Sequence, residues 1–464
     1  MAETTEAGRA ALATLWQAAG GDPAALDHVI LTGDTGLPSS FRIGSVAQAA
    51  IAAAGLAAAA LWQARTGRWQ TVSVDARHAA IEFRSERYLQ VAGAGPASLW
   101  DPIAGLYRGG DGRPVRLHTN FPHHRQVVLD LLQCAPTREA VQAALDPWES
   151  IAFEQAAMER GGVVAALRTP EEWAGHEQAR ALRTLPVLTI ERIGEASPRP
   201  LPTGARPLSG LRVLDLTRII AGPVAGRALA AYGADVMLIS APGLPFIDWL
   251  VKDTGRGKLS AYADLATSAG RADLGRLLDT ADVFIDGFRP GATADRGFGP
   301  EAAADRRPGI VYVSLSAYGH AGPWAARRGF DSLVQTVSGF NHAEGAAGMD
   351  GPKELPCQAL DHAAGYLMAL GAMAARLRQA REGGSWLVRV SLAQTGRWIW
   401  QQGRLDHGFA IPEPSPAEIE SFSETGASPF GEIRAIRHAA QLAETPAGWR
   451  RPTVPLGSDV PSWP

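Results

Sequence analysis

The pattern of hydrophobic and polar positions along this chain changes at one stiff, Pro-rich stretch, Ser197-Pro-Arg-Pro-Leu-Pro-Thr-Gly-Ala-Arg-Pro207. Beyond it, short apolar runs predict strands at Arg212–Leu216, Asp235–Ile239, Asp282–Asp286 and Ile310–Leu315, with helical stretches at Pro223–Tyr232 and Gly270–Thr280 between them. Such alternation predicts an α/β fold with a parallel sheet and right-handed crossovers. A long apolar helix, His362–Arg381, then leads through Gly383-Gly384 into a strand at Trp386–Val390.

Before the linker the pattern is mixed. Residues 1–40 predict a helix from Ala10 to Ala19 followed by turns, and residues 41–82 a helix, a turn at Gly67 and a strand at Thr71–Val74. Residues 83–195 predict a small α+β domain, with a strand-turn-strand over Gly105–Leu117 and helices near His124–Leu132, Arg138–Leu145 and Glu149–Arg160. From Pro412 the chain is rich in Pro, Ser and Glu and is expected to wrap the surface, extended from Thr445 onward. These boundaries give an N-terminal helical segment (1–40), a small domain preceded by a degenerate helix–strand unit (41–205), a larger α/β domain (206–395) and a return segment (396–464).

The helix–strand unit recurs. A shift of 316 positions lays 45–75 on 361–391, so that Gly55, Leu61, Gln63, Arg65, Gly67, Val72 and Val74 meet Gly371, Leu377, Gln379, Arg381, Gly383, Val388 and Val390. Asp361 falls opposite Ser45, which cannot act as a carboxylate. Two unrelated Ala-rich helices are the plain alternative.

Composition narrows the function classes. The 464 residues are 46% hydrophobic and 20% charged, ordinary for a soluble globular chain, and the net charge of -3 does not suit an electrostatic nucleic-acid binder. Two cysteines, Cys134 and Cys357, fit a reduced, cytoplasmic setting. The acidic start lacks the apolar run of a signal peptide, and the Ala-rich Val46–Trp62 stretch suits a packed helix better than a membrane span. There is no Gly-x-Gly-x-x-Gly, Walker loop or Gly-x-Ser-x-Gly elbow. The spacing of His118, His123 and His124 does not fit a zinc site, so these are expected to be solvent-exposed.

The second half carries the most specific signal, in the order of its motifs. These are Leu211-Arg-Val-Leu-Asp-Leu-Thr-Arg-Ile-Ile-Ala-Gly-Pro223, Tyr232-Gly-Ala-Asp-Val236, Gly255-Arg-Gly-Lys258, Asp286-Gly-Phe-Arg-Pro-Gly291, Ser316-Ala-Tyr-Gly-His-Ala-Gly-Pro323 and Ala359-Leu-Asp-His362. Together they resemble the family III CoA-transferases, a group that also holds α-methylacyl-CoA racemases. The resemblance implies a Rossmann-like domain with flanking helices, an interlocked homodimer, coenzyme A as co-substrate and no metal. It also implies an acyl-CoA and a carboxylic acid as substrates, with no nucleic acid or membrane partner. In the family the small domain follows the catalytic helix; here the similar segment comes first, as in a truncated tandem fusion working as a permuted subunit.

Residue by residue, Asp361 matches the family's catalytic aspartate, which attacks a thioester and passes through an anhydride to an aspartyl-CoA thioester. Its bland alternative is a helix N-cap. Phe330 stands where the racemases carry a proton-transferring histidine, which favours transfer and places an aromatic wall on the acyl pocket. Asp331 matches an acidic position near the site. Arg218, Ile220, Arg256, Lys258, Phe288, Arg289 and Arg296 match positions along the coenzyme A path. Leu259, Gly255 and Gly287 replace an arginine and two asparagines of that pattern. A racemase of the same superfamily and a non-catalytic CoA-binding paralogue are the competing readings.

Overall fold

The computed structural model describes residues 2–348 and 351–464; Met1, at the acidic start, lies outside them. Its centre is a seven-stranded sheet. The strand order is Lys258–Tyr262, Asp235–Ser240, Arg212–Leu216, Val283–Asp286, Val311–Ser316, Ser385–Ser391 and Leu188–Gly194. All neighbours are parallel except the last pair. The inner strands are buried on both faces because helices cover both, as a parallel sheet requires.

Two strands were not legible. Lys258–Tyr262 is an edge strand rather than part of a basic loop, and its free edge is bridged by Asp459 of the tail. Leu188–Gly194 lies before the Pro-rich linker yet pairs with Ser385–Ser391, so the linker does not separate the main sheet from everything upstream. The tail is more regular than its composition suggests. Ser423–Ser428 and Gly431–Ile436 form a hairpin that pairs with Gln90–Val91.

The two helix–strand units occupy matching helices. Ile43–Thr66 and Ala359–Glu382 are both 24 residues long, offset by 316, and they pack on each other. Each ends on a glycine with positive φ, Gly67 or Gly383, whose N–H bonds the carbonyl of Gln63 or Gln379. A Cβ on Gly55 would press into Val72, and one on Gly371 into Val388, so each glycine lets its helix lie close on its own strand. Strand order matches too: Val29–Thr32, Val72–Asp75 and Gln441–Leu442 repeat the parallel-then-antiparallel arrangement of Val311–Ser316, Ser385–Ser391 and Leu188–Gly194.

Helix Ile43–Thr66 is long and apolar enough to cross a membrane by length and composition, but its apolar stretch is entirely buried inside the protein. It lies between Ala2–Ala18 and Ala359–Glu382, and the latter packs in turn on Ala221–Ala231. This layer of helices forms the main hydrophobic core and fixes where Asp361 stands.

Candidate active site

Loops at the carboxyl ends of the parallel strands open a cleft of about 470 Å³. Arg218, Ile219 and Ile220 follow Arg212–Leu216, Phe288, Arg289 and Arg296 follow Val283–Asp286, and Phe330 and Asp361 complete the inner wall. Ile219 holds φ 76°, a left-handed conformation that a β-branched residue adopts only under strain. Strain of this kind concentrates at binding sites.

Asp361 is the third residue of its helix, not the N-cap, which is Gln358. It is 7% exposed, and that exposure is toward the cleft. Its backbone N–H donates to Asp331 Oδ2 at 3.0 Å. Asp331 itself is fully buried, behind the wall rather than in it, so it does not line the pocket as its sequence position suggested. Gln335 holds Asp331 from the other side through Nε2, while its Oε1 accepts the N–H of Leu355 at 2.9 Å. The loop entering the helix is thereby tied to the Phe330–Asp331 corner.

Burial raises the proton affinity of Asp361 well above the usual carboxylate range, and the nearby charges of Asp331 and Glu86 add to it. Burial also raises Asp331, against the hydrogen bonds that favour its charged form. Glu86, from the helix Ser85–Tyr88, accepts or shares a bond with His362 Nε2 at 3.1 Å. Part of the support for the Asp361 helix therefore comes from the first half of the chain.

The small domain supplies the opposite wall, with Phe121, His123 and His124 at the start of helix Pro122–Leu132. The expectation of exposed histidines holds only for His123. His118 and His124 are buried, because the domain folds back over the sheet. His118 stacks on Phe330 at 4.0 Å and 11°. Burial, with His123, Arg328 and Arg218 adding, pushes His124 down to about 3. Nothing in local spacing announces these contacts.

Arg256 and Lys258 do not reach the cleft. Lys258 Nζ donates to Asp215 Oδ2 at 2.7 Å and to the Pro223 carbonyl at 2.8 Å, under the helix Ala221–Ala231. Arg256 is buried against Asp253 and the Ile436 carbonyl, with its guanidinium 4.1 Å from the Trp449 ring. The Gly255–Lys258 segment folds inward because its strand pairs with Asp235–Ser240 and turns Lys258 into the core. Asp264, Arg327 and Arg328, by contrast, line the cleft without having been singled out for it. Among the described residues no group of three or more His, Cys, Asp or Glu is placed to hold a metal ion.

Residues 208–435 match the family described as CoA-transferase family III. "Probable fatty acyl-CoA transferase Rv3272" of Mycobacterium tuberculosis is 34% identical over 47% of this chain and 60% of its own length. The succinate–glutarate CoA-transferase of Agrobacterium fabrum is 38% identical over 30% of this chain and 40% of its own. A crystal structure of Rv3272 aligns at 33% identity with a TM-score of 0.37, covering 43% of this chain and 58% of that one. The chain thus spans only part of the length of these relatives.

Proposed function

We propose that the protein is a CoA-transferase that moves coenzyme A from an acyl-CoA to a carboxylic acid through a covalent intermediate on Asp361. The observation that carries this reading is the placement of Asp361: a nearly buried carboxyl at a helix N-terminus, turned to a cleft with arginines on its walls. Asp361 carboxylate attacks the thioester carbonyl, the C–S bond breaks, and CoA leaves as thiolate with an acyl–aspartyl anhydride remaining. The thiolate attacks the aspartyl carbonyl, releasing the donor acid and leaving an aspartyl-CoA thioester. The acceptor carboxylate then runs both steps in reverse. Backbone N–H groups at the helix start favour the developing negative charge.

In this reading Arg218, Arg289 and Arg296 meet the phosphates and Phe288 and Ile220 flank the rest of coenzyme A, while Phe330 walls the acyl group and Asp331 positions Asp361. Arg256 and Lys258 are left with structural roles. The relatives are named for fatty acyl and for succinate or glutarate substrates, so they do not agree on one acid. The unpaired state of both cysteines supports a cytosolic setting. A homodimer follows from the family resemblance, and light scattering would test it.

The decisive test is covalent trapping. Purified protein is incubated with a panel of acyl-CoAs, quenched with and without hydroxylamine, and the modified peptide is mapped by mass spectrometry. A CoA adduct or hydroxamate at Asp361, absent from Asp361→Ala, is the expected result. Turnover with a label elsewhere would sink the assignment.

A further inference from the structure

A second cavity, of about 400 Å³, opens at the opposite end of the same sheet. Arg212 and Asp235 begin two of the strands there, and Asp282 and Arg307 precede two more. Arg199 enters from the Pro-rich linker, and Arg376 from the helix that begins at Asp361. At 1.5 Å per residue, Arg376 lies about 22 Å along that helix from Asp361, so this is a separate site.

Its charges do not balance. Four arginines face two aspartates and Pro464, the last residue of the chain, with its carboxylate, and Asp235 is already engaged by Arg451 at 2.9 Å. Asp282, with Arg199 Nη1 at 3.4 Å, and the Pro464 carboxylate are left to offset the four guanidiniums. Arg376 is 2% exposed. Its terminal nitrogens donate to the carbonyls of Arg199 and Pro200 and to Gln379 Oε1. The Nε atoms of Arg376 and Arg199 are buried with no hydrogen-bond partner. Burial, joined by Arg199, Arg65 and Arg307 and opposed by Asp282, pushes Arg376 down to about 10.

We propose that this cavity binds a small phosphate-bearing anion. Guanidiniums converge on it from a linker, a strand, a loop and a helix, so donors arrive from several directions. A tetrahedral dianion offers acceptors to all of them, whereas a planar carboxylate is served by one arginine fork. Such an anion would supply the missing negative charge and brace the far end of the Asp361 helix.

The test is calorimetric titration of the full chain with inorganic phosphate, pyrophosphate and citrate. Wild type is compared with Arg212→Gln/Arg307→Gln and with the cleft variant Arg289→Gln/Arg296→Gln. Saturable phosphate or pyrophosphate binding is expected in wild type and in the cleft variant, weakened about tenfold or more when Arg212 and Arg307 are changed. Circular dichroism checks that each variant is folded, and the wild-type and cleft-variant titrations stand even if the other variant is not. Absence of saturable binding in wild type, loss only in the cleft variant, unchanged affinity in Arg212→Gln/Arg307→Gln, or citrate binding tighter than either phosphate would overturn the proposal.

Discussion

Asp331 Oδ2 accepts the backbone N–H of Asp361 at 3.0 Å, so one carboxyl anchors the helix start that presents the other. The same closeness raises the proton affinity of Asp361, since two charges in one buried corner repel. In Asp331→Asn the amide oxygen can still take the Asp361 N–H while the like charge is gone. The acid limb of the kcat/KM profile should therefore move to lower pH. The amide also turns an N–H₂ group toward Gln335, at a stability cost of about 1–3 kcal/mol. A pH–rate profile with an unmoved acid limb would show that Asp331 acts only as a structural clamp.

Asp361 should be held at the expense of stability. A carboxyl whose proton affinity rises on folding favours the native state below its unfolded pKa, and that contribution is lost as pH rises toward the folded value. Asp361→Asn removes the titration while keeping the shape. The variant should be inactive yet melt above wild type, with a gap that widens from pH 5 to pH 8, reaching roughly 1–3 kcal/mol, the scale of an unsatisfied buried polar group. Melting curves across that range check the sign; a gap that narrows with pH would contradict it.

Lys258 and Arg289 should separate cleanly. Lys258→Met strips the ammonium partner from buried Asp215 and should cost about 3–5 kcal/mol, without a selective change in the KM for acyl-CoA in the fraction that folds. Arg289→Ala changes an exposed side chain in the cleft wall and should raise that KM several-fold with a shift within about 0.5 kcal/mol in stability. Denaturant melts and initial rates on both variants decide the point. A Lys258→Met protein of normal stability with a raised KM would return Lys258 to the coenzyme path.

Gly365→Ala should damage both fold and activity. A Cβ at that position would sit 2.5 Å from the Ala221 carbonyl oxygen and 2.8 Å from Val224 Cβ, where two helices touch. Relief requires the Asp361 helix to move off Ala221–Ala231, at about 1–3 kcal/mol. Because Asp361 lies one turn away on the same helix, kcat should fall more than KM rises. Thermal melts and steady-state kinetics on the same preparation test this, and a variant as stable and active as wild type would mean the helices have room to spare.

Much of this molecule was legible in its sequence. Apolar runs such as Val311-Tyr-Val marked the inner strands, since a buried parallel strand needs no polar face. The shift of 316 positions marked the paired helices, because a helix that must lie close on its strand keeps the same glycine. The motif around Asp361 pointed to the residue that stands at the cleft. Tertiary structure alone decided the rest. Lys258 and Arg256 look like phosphate ligands in a Gly-rich segment, but pairing at a sheet edge turns them inward to buried aspartates. His118 and His124 look like surface residues until a separate domain folds over Phe330. Arg199, Arg212, Arg307 and Arg376 are scattered over nearly 180 positions and share a cavity only because parallel strands bring their starts to one end. Local pattern records which face of an element must leave water; it does not record which distant segment will cover that face or meet its charge.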